Sequence, residues 1–326
     1  MLSDIRSHYG FTRDFSLLSQ SAFFETTQLQ LVLKELKLAI KDGKLIVLSG
    51  MVGTGKTSTL QRIQASLEQE KEILIAQSLA LNIGHVTIET LELALFCDLA
   101  TDKDEPMPKK SEQRPRALRE LIKKKKKPVV LFIDDAHQLS EDTLLGLKRL
   151  MEVMRGAKSP LSIVMAGHPK LRNDLVHPSM EQIGGRVTLF EFDSLGADRR
   201  AYLDWVLSQV SASRTKPEAL LTDAAATLLC ERLATPLQFE LYLDRAFTEG
   251  FRVGQKPIEV DTIEAVLSPD LNAMGARLMR NGYNVKQLTG TLGVKPREVH
   301  AFLAGQLAAE RSQELHDRLL AAGVPV

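Results

Sequence analysis

Eight consecutive residues, from Gly50 to Thr57, have the types and spacing of a phosphate-binding loop. They read GMVGTGKT and match the pattern G-x-x-x-x-G-K-[ST]. Glycines let the backbone wrap so that its amides point at phosphate oxygens, and a helix N-terminus adds a favourable dipole. In this pattern Lys56 reaches the β- and γ-phosphates, and the hydroxyl of Thr57 ligates Mg²⁺. The predicted nucleotide-binding residues are Gly50, Val52, Gly53, Thr54, Gly55, Lys56, Thr57 and Ser58.

Two adjacent carboxylates, Asp134 and Asp135, follow an apolar run at residues 129–133. An aspartate at the carboxyl end of a buried strand is placed to hold the hydration shell of Mg²⁺, which is the role predicted for Asp134. The next carboxylate, Asp135, is placed to polarise the attacking water. We therefore predict Lys56 and Asp135 as catalytic residues. The alternative is a solvated strand end, or a cap for the helix predicted from Ser140.

Two further polar residues stand next to apolar runs. His168 lies just past the run at residues 161–166. In P-loop NTPases with this arrangement of motifs, a polar residue at that place senses the γ-phosphate. The alternative is an ordinary loop histidine. Arg186 precedes the run at residues 187–192, where it would reach a neighbouring subunit's γ-phosphate as an arginine finger. The alternative is a surface arginine that pairs with a nearby acid.

The elements that must position these residues are short apolar runs alternating with longer amphipathic stretches. The runs are four to six residues long, which is typical of strands buried on both faces of a parallel sheet. They lie at residues 45–48, 73–76, 129–133, 161–166 and 187–192. Helices are predicted at residues 57–70, 87–99, 116–122, 140–154 and 170–175. The alternation predicts an α/β fold with a parallel sheet of five strands.

Beyond residue 193 the pattern becomes helical. Helices are predicted at residues 197–209, 222–233 and 236–249, with Asp198, Thr222 and Thr235 as N-terminal caps. A weak strand-like run remains at residues 257–260. The predicted division is an N-terminal lead-in (1–30), a P-loop core (31–194), a helical lid (195–268) and a C-terminal module (269–326).

The order of these motifs resembles that of AAA+ ATPases of the ExeA/TniB/TnsC group, and most of all the TnsC-like regulators of DNA transposition. The resemblance runs from about Tyr9 to Leu267 and includes the segments HYGFTRDF, GMVGTGKTSTL, VVLFIDDAHQLS and VMAGHPKLRNDL. In the lid it continues through ATPLQFELYLDRAF. There the sequence departs from the general AAA+ pattern, because Leu237 follows Pro236 where an arginine commonly senses the nucleotide.

The resemblance implies an ATPase that uses ATP and Mg²⁺ and oligomerises as a ring or a helical filament. We expect its hydrolysis to be stimulated by DNA and, because Asp135 is short, to be slow. In the transposition members, the ATPase polymerises on duplex DNA, marks a target site and communicates with a transposase. Expected partners are therefore DNA, further copies of the chain, a transposase and target-selector proteins. The alternatives are an ExeA-like ATPase of a secretion apparatus, for which a membrane span would be expected, and a replication initiator or helicase loader.

Basic residues concentrate between Lys109 and Lys127, where ten basic and two acidic residues give a net charge of +8. The whole chain carries +1, so the remaining residues carry −7. Near neutrality therefore excludes only a uniformly basic nucleic-acid binder. The residues predicted here to contact duplex DNA are Lys103, Lys109, Lys110, Arg114 and Arg116. The alternative is that the lysines at 123–127 form a solvated turn before the next strand.

Residues 284–305 resemble a helix-turn-helix. Gly293 allows the tight turn, and the second helix would offer Lys295, Arg297 and His300 to a major groove. Glu298 on the same helix opposes DNA. The alternative is a three-helix module that docks a protein.

The cysteine content, the first residues and the length of the apolar runs exclude several other classes of protein. Two cysteines, Cys97 and Cys230, cannot build a disulfide framework or a cysteine-rich metal site. The first residues lack the pattern of a signal peptide, and the apolar runs are too short to span a bilayer. The expectation is a cytoplasmic protein without membrane contact.

One prediction concerns Asp135, where related ATPases more often carry glutamate. The shorter side chain reaches the attacking water less well, so we expect Asp135→Glu to raise the steady-state turnover of ATP. A variant that turns over no faster than the wild type would count against this explanation of slow hydrolysis.

Overall fold

The computed structural model describes residues 2–18, 22–78, 86–101, 106–155, 160–192, 195–212, 216–267 and 273–326. Two features named above fall outside these ranges: the predicted DNA contact Lys103, and the start of the C-terminal module at residues 269–272.

A parallel sheet of five strands forms the centre of the structure, which confirms the predicted α/β fold. The strands are β1 (Leu45–Gly50), β2 (Leu74–Gln77), β3 (Val129–Ile133), β4 (Leu161–Gly167) and β5 (Val187–Phe192). Their spatial order is β2-β3-β4-β1-β5, and every neighbouring pair is parallel. The carboxyl ends of β1, β4 and β3 therefore lie side by side at one edge.

Burial on both faces explains why the central strands are almost wholly apolar. Every residue of β1, β3 and β4 is buried. Alternate residues point to opposite faces, so Val47 and Leu131 belong to the hydrophobic core on one side of the sheet. Ile46 and Phe132 belong to the core on the other side. The edge strands β2 and β5 contain partly exposed residues.

Helices precede the sheet, connect its strands and follow it. Up to β5 they are α1 (Leu2–Tyr9), α2 (Thr27–Lys41), α3 (Lys56–Glu70), α4 (Ile88–Leu99), α5 (Arg114–Lys125), α6 (Glu141–Met154), α7 (Pro169–Val176) and α8 (Glu181–Gly184). Beyond β5 they are α9 (Arg199–Val210), α10 (Asp223–Arg232), α11 (Pro236–Arg252), α12 (Val260–Val266), α13 (Met274–Arg280), α14 (Val285–Leu292), α15 (Pro296–Leu303) and α16 (Ala309–Ala321).

The helix α5 is longer than predicted at both ends. Pro115 fits its first turn, because the amides there have no partner within the helix. The lysines at 123–125 complete its last turn, where positive charge is favoured by the helix dipole. Only Lys126, with a positive φ of 55°, and Lys127 remain as the turn before β3.

The predicted strand at residues 257–260 was wrong. Ile258 makes a single parallel bridge with Leu221, and α12 begins two residues later. Pro257 has no amide hydrogen to extend such a pairing. Thr222 and Thr235 cap their helices as predicted, whereas the side chain of Asp198 makes no capping hydrogen bond.

The N-terminal segment packs into the helical region that follows β5. Ile5, Tyr9, Phe11, Phe15 and Leu18 share one hydrophobic cluster with α9–α12. The Tyr9 ring meets Phe247 edge to face at 4.9 Å, and its hydroxyl donates to the Gln255 carbonyl at 2.8 Å. The start of the chain thus belongs physically to the lid.

The C-terminal region has a hydrophobic core of its own. Leu288 and Leu292 of α14 pack against Val299 and Phe302 of α15. Gly293 joins the two helices with φ 66°, the left-handed conformation that the predicted turn requires. Two packed helices joined by a glycine turn therefore occupy the segment that resembles a helix-turn-helix.

Truncation of Tyr9 tests the packing of the N-terminal segment on the lid. Tyr9 is fully buried, so we expect Tyr9→Ala to lower the free energy of unfolding by about 3–5 kcal/mol. Leu38→Ala is the control, because Leu38 is 64% exposed and should lose under about 0.5 kcal/mol. Urea denaturation measures both, and a loss for Tyr9→Ala as small as that of the control would refute this packing.

Candidate functional site: an ATP site at the carboxyl edge of the sheet

The phosphate-binding loop follows β1 and leads directly into α3. Gly53 and Gly55 adopt positive φ values of 83° and 91°. A Cβ on Gly50 would lie 2.7 Å from the Phe192 carbonyl oxygen, so this position also requires glycine. No atom lies within 4 Å of a Cβ built on Gly55, at the N-terminus of α3. The loop thus leaves open space where a phosphate would meet the helix dipole.

Lys56 lies at the centre of the loop, with only 8% of its surface exposed. Its ammonium donates to the carbonyls of Gly50 and Met51 at 2.7 and 2.8 Å. Burial lowers the pKa of Lys56 to about 8, although Asp134 and Asp135 oppose this shift. Phosphate oxygens at this position would restore the preference for the charged form.

The two predicted Mg²⁺ ligands are in direct contact. The Thr57 hydroxyl donates to Asp134 Oδ2 at 2.7 Å across the β1 and β3 strand ends. Hydroxyl and carboxylate oxygens suit Mg²⁺, which prefers hard ligands. The residues present therefore fit the ion, and Thr57 and Asp134 are the groups that would hold it. The ion's chemistry there is to neutralise charge on the phosphates.

Asp135 has a strained backbone beside this pair. Its φ of 50° is left-handed, and its amide donates to Asp134 Oδ1 at 2.9 Å. Such strain concentrates at functional sites. The conformation leaves the Asp135 carboxylate exposed, as a group that polarises water must be.

His168 lies at the end of β4, between the loop strand and the acidic strand, and forms a stack with His137. The two ring centroids are 3.8 Å apart and the planes differ by 21°. Their Nδ1 atoms are buried and have no hydrogen-bond partner within the described residues. Burial lowers the pKa of His168 to about 4, with smaller contributions from His137 and Lys56. His168 is therefore a neutral imidazole at physiological pH.

His137 was not assigned a role from the sequence. Its Nδ1 lies 3.9 Å from Asp135 Oδ1, and its side chain is 10% exposed. Gly167 permits this position, because a Cβ there would approach the His137 amide to 3.1 Å. His137 thus links the acidic strand end to His168. Its side chain points inward from the turn after β3, a direction that strand periodicity does not specify.

The lid contacts the phosphate-binding loop through its backbone. The Leu237 amide donates to the Gly53 carbonyl at 3.4 Å, and a Cβ on Gly53 would lie 2.6 Å from Leu237 Cβ. Leucine at this position thus packs on the loop, where the general pattern places a sensing arginine.

An apolar pocket opens beside the loop and the start of α3. The lead-in contributes Phe23 and Phe24, the loop contributes Thr54 and Ser58, and the lid contributes Trp205. Phe24 contacts Tyr202 and Trp205 at ring distances of 5.3 and 5.4 Å. Aromatic walls next to a phosphate cradle suit a nucleotide base. Phe23, Phe24 and Trp205 were not predicted from the sequence to take part in binding, because the pocket joins segments nearly 200 positions apart.

Glu240 adds a polar group to this pocket. The Tyr202 hydroxyl donates to Glu240 Oε1 at 3.5 Å, and burial raises the pKa of Glu240. Burial also raises the pKa of Tyr202, so its hydroxyl remains a donor. The half-buried Glu240 carboxyl group in this largely apolar pocket is able to orient a base by hydrogen bonding.

Arg186 is separated from these groups by the length of β5. The strand pairs Val187 with Leu45 and Phe192 with Gly50, so Arg186 and the loop lie at opposite ends. At about 3.3 Å per residue, this separation is about 20 Å. Arg186 is half exposed and pairs with Glu152 at 2.7 Å. It cannot serve the ATP site of its own chain, so a finger role requires a second copy.

The predicted DNA contacts fall into two groups on the surface. Lys109, Lys110 and Arg116 are exposed at and just before the start of α5. Arg114 instead folds back, donating to the carbonyls of Pro108 and Lys109 at 3.2 and 3.4 Å. In the second group, Lys295, Arg297 and His300 are all exposed on or just before α15.

Taken together, the parallel sheet, the loop after β1 and the acidic end of β3 define a P-loop ATPase core with a helical lid. Residues 39–175 match the AAA domain family. This part of the chain is an AAA+ ATPase domain, and the protein is an ATPase. No curated protein matches the sequence.

This chain is also similar to solved structures. Cdc6p from Pyrobaculum aerophilum is 16% identical, with a TM-score of 0.53, over 96% of this chain and 91% of that one. The Aeropyrum pernix ORC2 protein, solved as ADPNP-ADP complexes, is 12% identical, with a TM-score of 0.57, over 95% and 85%. The Thermotoga maritima RuvB Holliday junction branch migration motor is 20% identical, with a TM-score of 0.47, over 88% and 90%. At these identities the first two likenesses establish the fold alone.

Within the described ranges, the helices are too short or too polar for any of them to cross a membrane.

Arg186→Ala tests the role of this arginine. An arginine finger contributes roughly 10³-fold or more to turnover, so we expect normal ATP binding and hydrolysis lowered at least about a hundredfold. Arg252→Ala is the matched control, because Arg252 also forms an exposed ion pair, with Glu249 at 3.1 Å. Equal turnover in the two variants would remove Arg186 from the finger role.

Proposed function

We propose that this protein is an ATP-dependent regulator of DNA transposition, which assembles on duplex DNA and recruits or activates a transposase. The observation that carries the proposal is the pairing of an AAA+ ATPase domain with two separate cationic surfaces in one chain. One surface lies on the ATPase domain and the other on a helix-turn-helix.

The first surface surrounds α5. Arg116 and Lys123 are seven residues apart and therefore lie on one face of the helix, where both are exposed. Lys109 and Lys110 extend the surface ahead of the helix. Glu120 lies between them and is the nearby acid that lowers the net charge. A surface of this kind attracts phosphates without reading sequence.

The second surface is the exposed side of α15. Its acidic residue, Glu298, pairs with Arg311 of α16 at 2.8 Å. The carboxylate that opposed DNA binding in the sequence is therefore compensated within the module. Arg297 and His300, three residues apart, share the outer face.

Assembly is supported by the position of Arg186. An arginine about 20 Å from its own phosphate-binding loop is useful to catalysis only in a neighbour. A head-to-tail contact of this kind generates a ring or a helical filament. The same contact would have to release Arg186 from Glu152, an exposed pair worth about 1 kcal/mol or less.

The transposase partner rests on the resemblance of the motif order to the TnsC-like group. A replication initiator is the second candidate, and it is compatible with the likeness in fold to Cdc6p and ORC2 over nearly the whole chain. Both candidates bind DNA, so DNA binding does not separate them. A transposase gene beside this one, and copurification of its product with the ATP-bound protein, would favour the first.

DNA binding itself is tested with duplex DNA and ATP at low salt. We expect ATP-dependent binding, faster hydrolysis in the presence of DNA and filaments by electron microscopy. Lys56→Ala should abolish all three, because it removes the ammonium group that would reach the β- and γ-phosphates. Absence of ATP-dependent DNA binding by the wild type would overturn the proposal.

Variants that remove positive charge show which surface contacts DNA. Replacing Lys109, Lys110 and Arg116 with glutamine should reduce the slope of log K against log salt by about 3, since each phosphate contact contributes about 0.9. The control is a second triple variant that removes the same charge from the lid. It carries glutamine in place of the exposed residues Lys216, Arg232 and Arg252. Equal slopes for the two triple variants would exclude the surface around α5.

A further inference from the structure

The C-terminal module touches the ATP site through the loop that joins α13 to α14. This docking loop comprises residues 280–283. The amide of Val52 in the phosphate-binding loop donates to the Arg280 carbonyl at 3.0 Å. The amide of Lys170, at the start of α7, donates to the Asn281 carbonyl at 3.4 Å. The docking loop therefore contacts both the β1 and β4 strand ends.

Gly282 is the point of closest approach. Its φ is 92°, and a Cβ at this position would lie 2.7 Å from His168 Cβ and 2.8 Å from His168 Nδ1. Real Cβ atoms do not make contacts this short. The backbone of Gly282 thus lies directly against the His168 imidazole.

The His168 ring is consequently held from two sides. His137 stacks on it at 3.8 Å, and Gly282 packs against its Cβ and Nδ1 atoms. A ring confined in this way keeps a single orientation relative to the phosphate-binding loop.

Hydrogen bonds from one residue of α7 hold the docking loop and the far end of the C-terminal module in place. Asn173 of α7 donates to the Tyr283 hydroxyl and to the Gly323 carbonyl, both at 2.6 Å. Tyr283 and Asn281 are 4% and 8% exposed. Polar groups this buried are costly to leave without partners, so the anchors favour one docked position.

We propose that the docking loop is a positioning element of the ATP site, in which Gly282 fixes the His168 imidazole against the γ-phosphate. The proposal rests on the ATPase and on the candidate role of His168. It does not depend on DNA binding or on transposition. Gly282 acts through His168 and is a positioning residue.

Gly282→Ala and Gly305→Ala form a matched pair. Gly305 also has a left-handed φ, of 67°, but no atom lies within 4 Å of a Cβ built there. Both variants bear the backbone strain of alanine at positive φ, and only Gly282→Ala pushes on His168. A displacement of about 1 Å at a catalytic group costs up to about a hundredfold in rate.

The assay is steady-state ATP hydrolysis without DNA, on variants whose folding is confirmed by thermal unfolding. We expect Gly282→Ala to lower kcat by at least about tenfold with KM changed less than about threefold, and Gly305→Ala to leave kcat within about twofold. Equal losses in the two variants would overturn the proposal.

A double-mutant cycle separates positioning from general damage. In a His168→Ala background, Gly282→Ala should change kcat by less than about twofold, because the residue it acts through is gone. An undiminished loss in that background, or no effect of His168→Ala alone, would refute the proposal.

Asn173→Ala provides the same test without an added atom, should Gly282→Ala not fold. It removes the side-chain hydrogen bonds to Tyr283 in the docking loop and to Gly323 at the other end of the module. We expect a loss of about threefold in kcat that disappears in the His168→Ala background. A loss that persists there would contradict the proposal. None of these assays contains DNA, so they remain informative even if the DNA-binding proposal fails.

Discussion

Parallel pairing of β1 with β4 and of β4 with β3 is the constraint on which the ATP site depends. Parallel strands end at the same edge, so this order places the phosphate-binding loop, His168 and the two aspartates side by side. Burial of all three strands fixes their register, because a slip of one residue would turn apolar side chains to the wrong face. The hydrogen bond from Thr57 to Asp134 exists because that register is kept.

The remaining parts of the chain close the site from different directions. Aromatic residues of the lead-in and the lid line the apolar pocket beside the loop, and Leu237 brings the lid onto Gly53. The docking loop approaches from the C-terminal side, against Val52 and His168. Of the four predicted catalytic residues, Arg186 is the one that lies at the opposite end of β5 from its own phosphate-binding loop. One chain thus brings the phosphate-binding loop, the aspartates and His168 together, and in the proposed assembly a second copy would supply the arginine.

Much of this arrangement could be predicted from the sequence, because its signals are local. The glycine spacing around Lys56, the apolar strands and the aspartates after β3 each report their own surroundings. Gly293 similarly indicated the tight turn between α14 and α15. The apolar pocket, the stacking of His137 on His168 and the approach of Gly282 were not predicted, since each joins segments distant in the chain. The helix α5 is longer than predicted because its terminal lysines are stabilised by the helix dipole, whereas their position just before a buried strand suggested a turn.

In the proposed assembly, two copies of this chain share one ATP site. Mixing two inactive variants tests it most directly: Arg186→Ala keeps an intact phosphate-binding loop, and Asp135→Asn keeps an intact arginine. In a 1:1 mixture of head-to-tail assemblies, about one interface in four pairs both intact groups, so about a quarter of wild-type ATP hydrolysis should return. A mixture no more active than either variant alone would contradict the account.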